Sequence, residues 1–283
     1  MALDSFIPSA FSGSVLKALK TDLVYGQPNV ATTEYNGLIQ RQGDRVKVAS
    51  VGDVTISNYT RNTNIAAAET LTSAQLEVLI DQAKYFNFQE DQLDQIQTNT
   101  DVFAEAADRA SYNLAKAADS FMAGLYSDIS STNTYGTDAS PITITASNAY
   151  QYLVKLRTAL DKTDTPKDGR WVIVPPDYIE MLLQDDKFVK SGTAPSDTRL
   201  VNGRVFSAAG FDIIESNQVV NTSSAKYKVI AGHRNSWTFC AQFMGTEIYS
   251  PELRVLAKAM KGLYLYGGKV LRPSNMALVV ASF

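Results

Sequence analysis

Two long stretches of alternating apolar and polar residues stand directly before one long amphipathic stretch, and this order constrains the fold most. Even positions carry most of the large apolar side chains in residues 45–56 and 75–88, namely Val46, Val48, Val54 and Ile56 in the first and Leu76, Val78, Ile80, Phe86 and Phe88 in the second. Alternation with a period of two predicts half-buried antiparallel strands, which here would form a hairpin. Twelve strand residues span roughly 40 Å, whereas a compact chain of this length has a radius of gyration of about 19 Å.

An isolated two-stranded ribbon is marginally stable in water, so a hairpin of this length needs a covering surface. We therefore expect the hairpin of residues 45–90 to reach beyond the core of its own chain. The alternative is that the two strands form part of a larger internal sheet. The turn region between them, residues 57–70, is rich in Asn, Thr and Ala, which is typical of a mobile tip.

The amphipathic stretch predicts a helix over residues 98–126. Thr98, Asn99 or Thr100 can cap its start. Apolar residues then recur every three or four positions and form one continuous stripe, which indicates core packing. The members of this stripe are Phe103, Ala107, Ala110, Leu114, Ala117, Phe121 and Leu125, of which Phe103, Leu114, Phe121 and Leu125 are the predicted core residues.

The segments on either side differ in character. Residues 1–44 contain several Gly and Pro residues and one short helical candidate at 14–22, so we expect an extended arm that buries little by itself. After the long helix, the chain follows an α/β pattern. It predicts helices at 147–160 and 176–184, and strands at 171–174, 211–215, 227–231, 253–259, 263–266 and 276–283, with a loop at 191–204.

Composition excludes several classes of protein. The net charge of −3 gives no global basic field that would attract nucleic acid or an anionic membrane. One cysteine, Cys240, excludes an intrachain disulfide, and the start of the chain lacks a secretory signal. No apolar run reaches the roughly 20 residues of a membrane span. We therefore expect a soluble intracellular product without a membrane partner.

Charge is uneven along the chain. Residues 69–128 hold eleven acidic and three basic residues, and residues 251–283 hold five basic and one acidic. The two segments either face each other, within or between subunits, or form separately solvated surfaces.

The sequence contains no complete enzyme motif. His233 is the only histidine and Cys240 the only cysteine, and no acidic residue completes a catalytic motif with them. The segment 262–269 resembles a phosphate-binding loop, but Gly268 and Val270 stand where Lys and Ser or Thr are required. A tight turn between strands is the preferred interpretation of its glycines. The expectation is a protein without a catalytic, cofactor-binding or metal site.

Three segments carry a resemblance to a known family. They are the Ala-rich helix at 106–121, the strand-then-helix step at 170–178 (Arg-Trp-Val-Ile-Val-Pro-Pro-Asp-Tyr), and the glycine-then-strand element at 203–216. In this succession the chain resembles the major capsid (coat) proteins of tailed bacteriophages. Their fold is shared with encapsulins and the herpesvirus capsid floor. The resemblance covers nearly the whole chain.

The resemblance implies an α+β fold with four parts: an N-terminal arm (1–44), an extended loop (45–90), a peripheral domain (91–145 and 245–283) with the spine helix at 98–126, and an axial domain (146–244). It implies a structural protein that assembles into hexamers and pentamers of an icosahedral head shell. The shell encloses double-stranded DNA without sequence-specific binding. A separate scaffolding protein and a portal are implied partners, and a decoration protein stays open.

The resemblance also implies a virion location with assembly in the host cytoplasm. Asn58, Tyr59, Arg61 and Asn64 at the hairpin tip are then the predicted subunit interface. Residues 52–83 contain no lysine, so we expect no lysine crosslink from the loop. With the arm starting at Met1, we expect a scaffold that is separate or already removed. An encapsulin-like compartment and a soluble α/β enzyme are the alternatives.

Overall fold

The computed structural model describes residues 15, 23–35, 41–51, 55–64, 67–69, 73–91, 102–185, 207–223, 225–250 and 257–283. The strands of this part of the chain are β1 (Arg45–Val51), β2 (Ser73–Leu79), β3 (Gln82–Asp91), β4 (Thr134–Tyr135), β5 (Ile142–Thr143), β6 (Arg170–Val174), β7 (Ser207–Ala208), β8 (Phe211–Glu215), β9 (Asn221–Thr222), β10 (Lys226–His233), β11 (Trp237–Tyr249), β12 (Ala257–Val270) and β13 (Met276–Ser282). Its α-helices are α1 (Val102–Gly124), α2 (Ala149–Lys162) and α3 (Pro176–Gln184).

A mixed sheet forms the centre of the molecule, with the strand order β4-β13-β10-β6-β8-β7. All five residues of β6 are buried, since both faces of the sheet are covered. Val172 and Val174 belong to a core with α2 and α3, whereas Trp171 and Ile173 belong to a core with α1 on the other face. The mixture of helices and sheets confirms the predicted α+β class.

A second sheet has the order β11-β12-β3, and α1 packs against it. In the fourteen-residue strand β12, the glycines at 262, 267 and 268 do not form the predicted turn. A Cβ at Gly267 would lie 2.3 Å from the carbonyl oxygen of Leu79, and one at Gly268 would lie 2.4 Å from Met122 Sδ. These glycines therefore let neighbouring elements cross the strand closely.

The predicted strand 75–88 is wrong as a single strand, because the chain leaves one sheet and enters another at Ile80–Asp81. β2 pairs with β1 in a separate two-stranded sheet, whereas β3 pairs with β12. The predicted strand 45–56 is also too long, since Thr55 and Ile56 lie outside any strand and β1 is described as far as Val51. The alternative of an internal sheet therefore holds for residues 82–91 and not for β1 and β2.

Other predicted elements agree more closely with the structure. The strands at 171–174, 211–215 and 227–231 and the helix at 176–184 are confirmed, and the helix at 147–160 is displaced by two residues. Strands 253–259 and 263–266 belong to one element, β12, as far as the described residues show, and β11 was not predicted.

The sheets do not follow the predicted domain boundaries. Strand β11 crosses the boundary at 244–245, and β13 lies in the central sheet although residues 245–283 were assigned to the peripheral domain. β3 likewise joins β12 rather than the extended loop. The four-part division itself stays a prediction. The helical candidate at 14–22 (apart from Val15), the helix start at 98–101 and the loop at 191–204 lie outside the described residues.

Candidate assembly surface

The base of the β1–β2 hairpin rests on its own subunit. Seven residue pairs join the strands, from Arg45–Leu79 to Val51–Ser73, so the paired part is roughly 23 Å long. Val46, Val48, Val78 and Ile80 are buried together with Cys240 and Leu265 below them. The expectation that an outside surface must cover the whole hairpin is therefore wrong for its base.

The tip of the hairpin is exposed. Asn58, Tyr59, Arg61 and Asn64 all face solvent, with 72% of Tyr59 and 96% of Ile56 accessible. Hydrogen bonds join the two sides of the tip. Glu69 accepts one from the backbone N–H of Thr55 at 3.0 Å and one from its hydroxyl at 3.3 Å. An exposed isoleucine beside an exposed tyrosine makes this tip a candidate contact surface.

A shallow groove lies on the outer face of the β11-β12-β3 sheet. Tyr85 is 77% exposed, Met244 50% and Leu263 38%, and all three line the groove. A register shift between Phe243 and Thr246 places Gly245 at φ +96° and bends β11 at this point. Lys261 and Glu247 pair at 3.0 Å on the rim, so the groove is apolar with one ion pair beside it.

The spine helix α1 buries a face that overlaps the predicted stripe only in part. The side chains that are at most 1% exposed are Ala107, Ser111, Ala115, Ala118, Met122 and Ala123. Of the predicted stripe, Ala107 and Leu114 are buried on this face.

Phe121 and Leu125 are only partly buried, and Leu125 lies past the α-helix in a 3₁₀ turn. Ala110 and Ala117 face an open groove beside β3. The buried face is therefore rotated about the helix axis relative to the predicted stripe. The prediction missed this rotation because alanines lie on several sides of the helix and leave the apolar face ambiguous. The side chain of Phe103 lies outside the described residues.

The arm also departs from expectation. Leu23, Tyr25, Val30 and Ala31 are buried in the main core of their own chain. The indole N–H of Trp237 donates to the carbonyl of Val30 at 2.9 Å. This segment therefore does not need a neighbouring subunit to cover it, because its own tyrosine and valine supply the apolar surface.

A buried carboxylate, missed from the sequence, meets the arm at this point. Asp119 accepts hydrogen bonds from the N–H groups of Val24 and Tyr25. Its only sequence signal is an acid within an alanine-rich helical face. The partner amides lie about 95 positions away, so periodicity within the helix does not reveal them.

Cys240 and His233, the residues considered as catalytic candidates, are both buried. Cys240 is buried, and burial raises the pKa of its thiol, which opposes formation of a reactive thiolate. Burial also lowers the pKa of His233. Within the described ranges, no three His, Cys, Asp or Glu side chains are grouped to hold a metal ion.

The acidic and basic segments meet in part. Glu90 and Asp91 of β3 lie opposite Lys258 and Ala257 of β12, so the segments face each other within one subunit at this point.

Comparison with known proteins decides the family. The model of the family described as phage capsid protein matches residues 73–279. The chain belongs to this family. The capsid protein is accordingly a structural component of a virion. Among curated proteins, none matches the sequence.

Solved structures share the fold over most of the capsid protein. A structure from Mycobacterium phage Che8 is 24% identical, with 88% of each chain covered and a TM-score of 0.71. The capsid of cyanophage P-SCSP1u is 16% identical, covering 85% of this chain and 84% of that one, with a TM-score of 0.65.

A virus-like particle from Pyrococcus furiosus is 12% identical, covering 96% of this chain and 98% of that one, with a TM-score of 0.58. Among the helices of the described residues, none combines the length and apolar character that crossing a membrane requires.

Proposed function

We propose that the capsid protein assembles into hexamers and pentamers that close into an icosahedral head shell around double-stranded DNA. The observation that carries this proposal is the exposed hairpin tip. Ile56 and Tyr59 stand in solvent at the end of a ribbon whose base is anchored in the subunit core. Such exposed apolar side chains mark a surface that another chain covers.

We further propose that the tip of one copy seats in the Tyr85–Met244–Leu263 groove of the next. Both surfaces expose apolar side chains, Ile56 and Tyr59 at the tip and Tyr85, Met244 and Leu263 in the groove. The contact joins two different surfaces, so repeating it generates a ring when the rotation between copies closes, rather than an isolated pair. Rings of this kind are the units from which a closed shell is built.

The remaining partners follow from the same assembly model. We propose a separate scaffolding protein and a portal, assembly in the host cytoplasm, and no enzymatic activity. The DNA is enclosed without sequence-specific contacts, consistent with the net charge of −3. A decoration protein stays an open option.

An encapsulin-like compartment is the second candidate. It is favoured by the likeness to the Pyrococcus furiosus virus-like particle, which covers 96% of this chain. Purified particles distinguish the two functions by their contents. Double-stranded DNA inside supports the phage head, whereas a packaged enzyme without DNA supports the compartment.

Deleting residues 57–68 tests the assembly proposal. We expect a folded subunit, because the buried base of the hairpin is left intact, and no closed particles. Sedimentation and negative-stain imaging, with scaffold coexpressed, give the readout. Tyr59→Ala is the finer variant, and Tyr112→Ala on the spine helix is its control because Tyr112 is also exposed, at 56%. Normal particles from the deletion variant would contradict the proposal.

We expect no covalent crosslink from the hairpin loop. Lysines stand only at its base, where Lys47 lies in β1 and Lys84 in β3. Particles boiled in denaturing buffer should therefore run as a single monomer band on a gel. A ladder of multimers, with linked peptides identified by mass spectrometry, would contradict this expectation.

A further inference from the structure

The arm segment, defined as residues 23–35, is fastened to the spine helix by a single carboxyl group. Asp119 lies on the buried side of α1 and is 2% exposed. Its Oδ2 accepts the N–H of Val24 at 2.8 Å, and its Oδ1 accepts the N–H of Tyr25 at 2.9 Å. The neighbouring backbone N–H of Gly26 also favours the ionised carboxylate and lowers its pKa. Both carboxyl oxygens are thus used to hold one turn of the arm.

Within the described residues, this carboxyl group is surrounded by amides rather than by a cation. Among those residues, Tyr25 of the arm and Tyr264 of β12 are the titratable groups that face it, and both are buried. In the described part of the chain, no ion pair includes Asp119. When the arm lies on the subunit, the carboxyl group loses its water and gains only backbone donors.

We propose that Asp119 is a proton-linked clasp that fastens the arm segment to its own subunit. Closing the arm buries the carboxyl group, and opening the arm returns it to water. A buried carboxyl group binds a proton more readily than a hydrated one, because desolvation penalises the charged form. Closure of the arm and uptake of one proton by Asp119 therefore favour each other.

The direction of the pH effect follows from the two states. In the closed state, burial raises the pKa of Asp119 to about 6, although the hydrogen bonds from the arm amides lower it. In the open state, the hydrated carboxyl has the ordinary pKa of about 3.9. The clasp is therefore tightest below about pH 4, and it weakens as pH rises through about 6. The pKa values of the closed and open states differ by about two units. This difference changes the equilibrium constant for closing by up to about 100-fold.

The clasp differs from the shell contacts and does not depend on the proposed function. It lies within one subunit, so the same change is expected whether the protein is unassembled or part of a particle. Gly26 supplies a means to separate the clasp from simple packing of the arm. A Cβ at this position would lie 2.8 Å from the ring of Phe239, and its nearest contacts are the side chains of Phe239 and Leu23.

Hydrogen exchange measured by mass spectrometry tests the proposal on the full-length protein. The amides of Val24 and Tyr25 are the donors to Asp119, so a peptide covering residues 23–28 reports the clasp. After correction for intrinsic exchange, we expect its protection to fall by about 10- to 100-fold between pH 4.5 and pH 7. Protection of Trp171–Val174 in the central sheet should not change over this range.

Two variants test whether the pH dependence of protection comes from the Asp119 carboxyl group. Asp119→Asn removes the titrating group, so the protection of residues 23–28 should become the same at both pH values. Gly26→Ala should lower protection at both values and retain the wild-type ratio, because the carboxyl group is still present. Equal protection of the wild-type peptide at the two pH values would overturn the proposal, and so would an unchanged ratio in Asp119→Asn. The wild-type comparison decides alone if the Asn variant does not fold.

Discussion

Replacing Trp237 with alanine is expected to lower the free energy of unfolding by about 3–5 kcal/mol, the range for removing a large buried aromatic side chain. Trp237 is fully buried and stacks on Trp171 with ring centroids 5.1 Å apart. Tyr25 of the arm meets its edge at 6.0 Å. The variant therefore opens a cavity where the arm, the β11 strand and the central sheet meet.

Urea unfolding of the unassembled subunit, followed by circular dichroism, measures this loss. Trp237→Phe is the matched control. It keeps an aromatic ring against Trp171 but loses the N–H that donates to the Val30 carbonyl at 2.9 Å. We expect the control to cost about 1–2 kcal/mol, mostly from the lost hydrogen bond. A loss below about 1 kcal/mol for the alanine variant would show that the three elements do not share this core.

The parts of the fold that the sequence predicted correctly have strong local signals. Val172, Ile173 and Val174 form an apolar run that ends at Pro175–Pro176, and Pro is favoured at the first turn of a helix. The predicted strand 171–174 lies within β6, which begins one residue earlier at Arg170, and the helix after it has the predicted boundaries. Strand β8 likewise follows a glycine and keeps its alternation, so its position needs no information from distant residues.

The parts that the sequence did not predict depend on contacts between distant segments. Alternation continues from Gln75 to Phe88 across Ile80, but the chain changes sheets there because β12 pairs with residues 82–91. Strand β11 was missed because its alternation breaks at Met244–Gly245, where the register shifts. Periodicity measures one element at a time, so it does not report which sheet a strand joins.

In the candidate assembly surface, too, features with a local sequence signal were predicted and features that depend on distant segments were not. The composition of the hairpin tip predicted an exposed turn, and Asn58, Tyr59, Arg61 and Asn64 are exposed. Their role as a subunit interface stays a prediction. The groove around Met244 was not predicted, because it is created by a bulge in a strand that was itself missed. Asp119 was not predicted, because its arm partners are remote in sequence.

Replacing Gly267 with alanine is expected to cost about 3 kcal/mol, at the upper end of the range for overpacking a core. A Cβ at this position would lie 2.3 Å from the carbonyl oxygen of Leu79 and 3.0 Å from the Cα of Ile80. Both contacts are with backbone, so no side chain can rotate away to relieve them. The chain must shift at the junction where β2 ends and the path toward β3 begins.

This shift would also change where the hairpin points. Leu79 and Ile80 form the base of the ribbon whose tip carries Tyr59, so a displacement at the base is enlarged at the tip. We expect Gly267→Ala to lose assembled particles even under conditions where the subunit stays folded. Urea unfolding measures the loss of stability, and sedimentation measures the loss of particles.

Gly124→Ala is the matched control for this glycine. Among the described residues outside its own helix backbone and chain neighbours, no atom lies within 4 Å of a Cβ added at Gly124, and its φ of −64° suits any residue. Because alanine has a higher helix propensity than glycine, we expect unchanged or slightly higher stability and normal particles. If Gly267→Ala matched this control in both measurements, the close crossing of the hairpin base over β12 would not be what positions the ribbon.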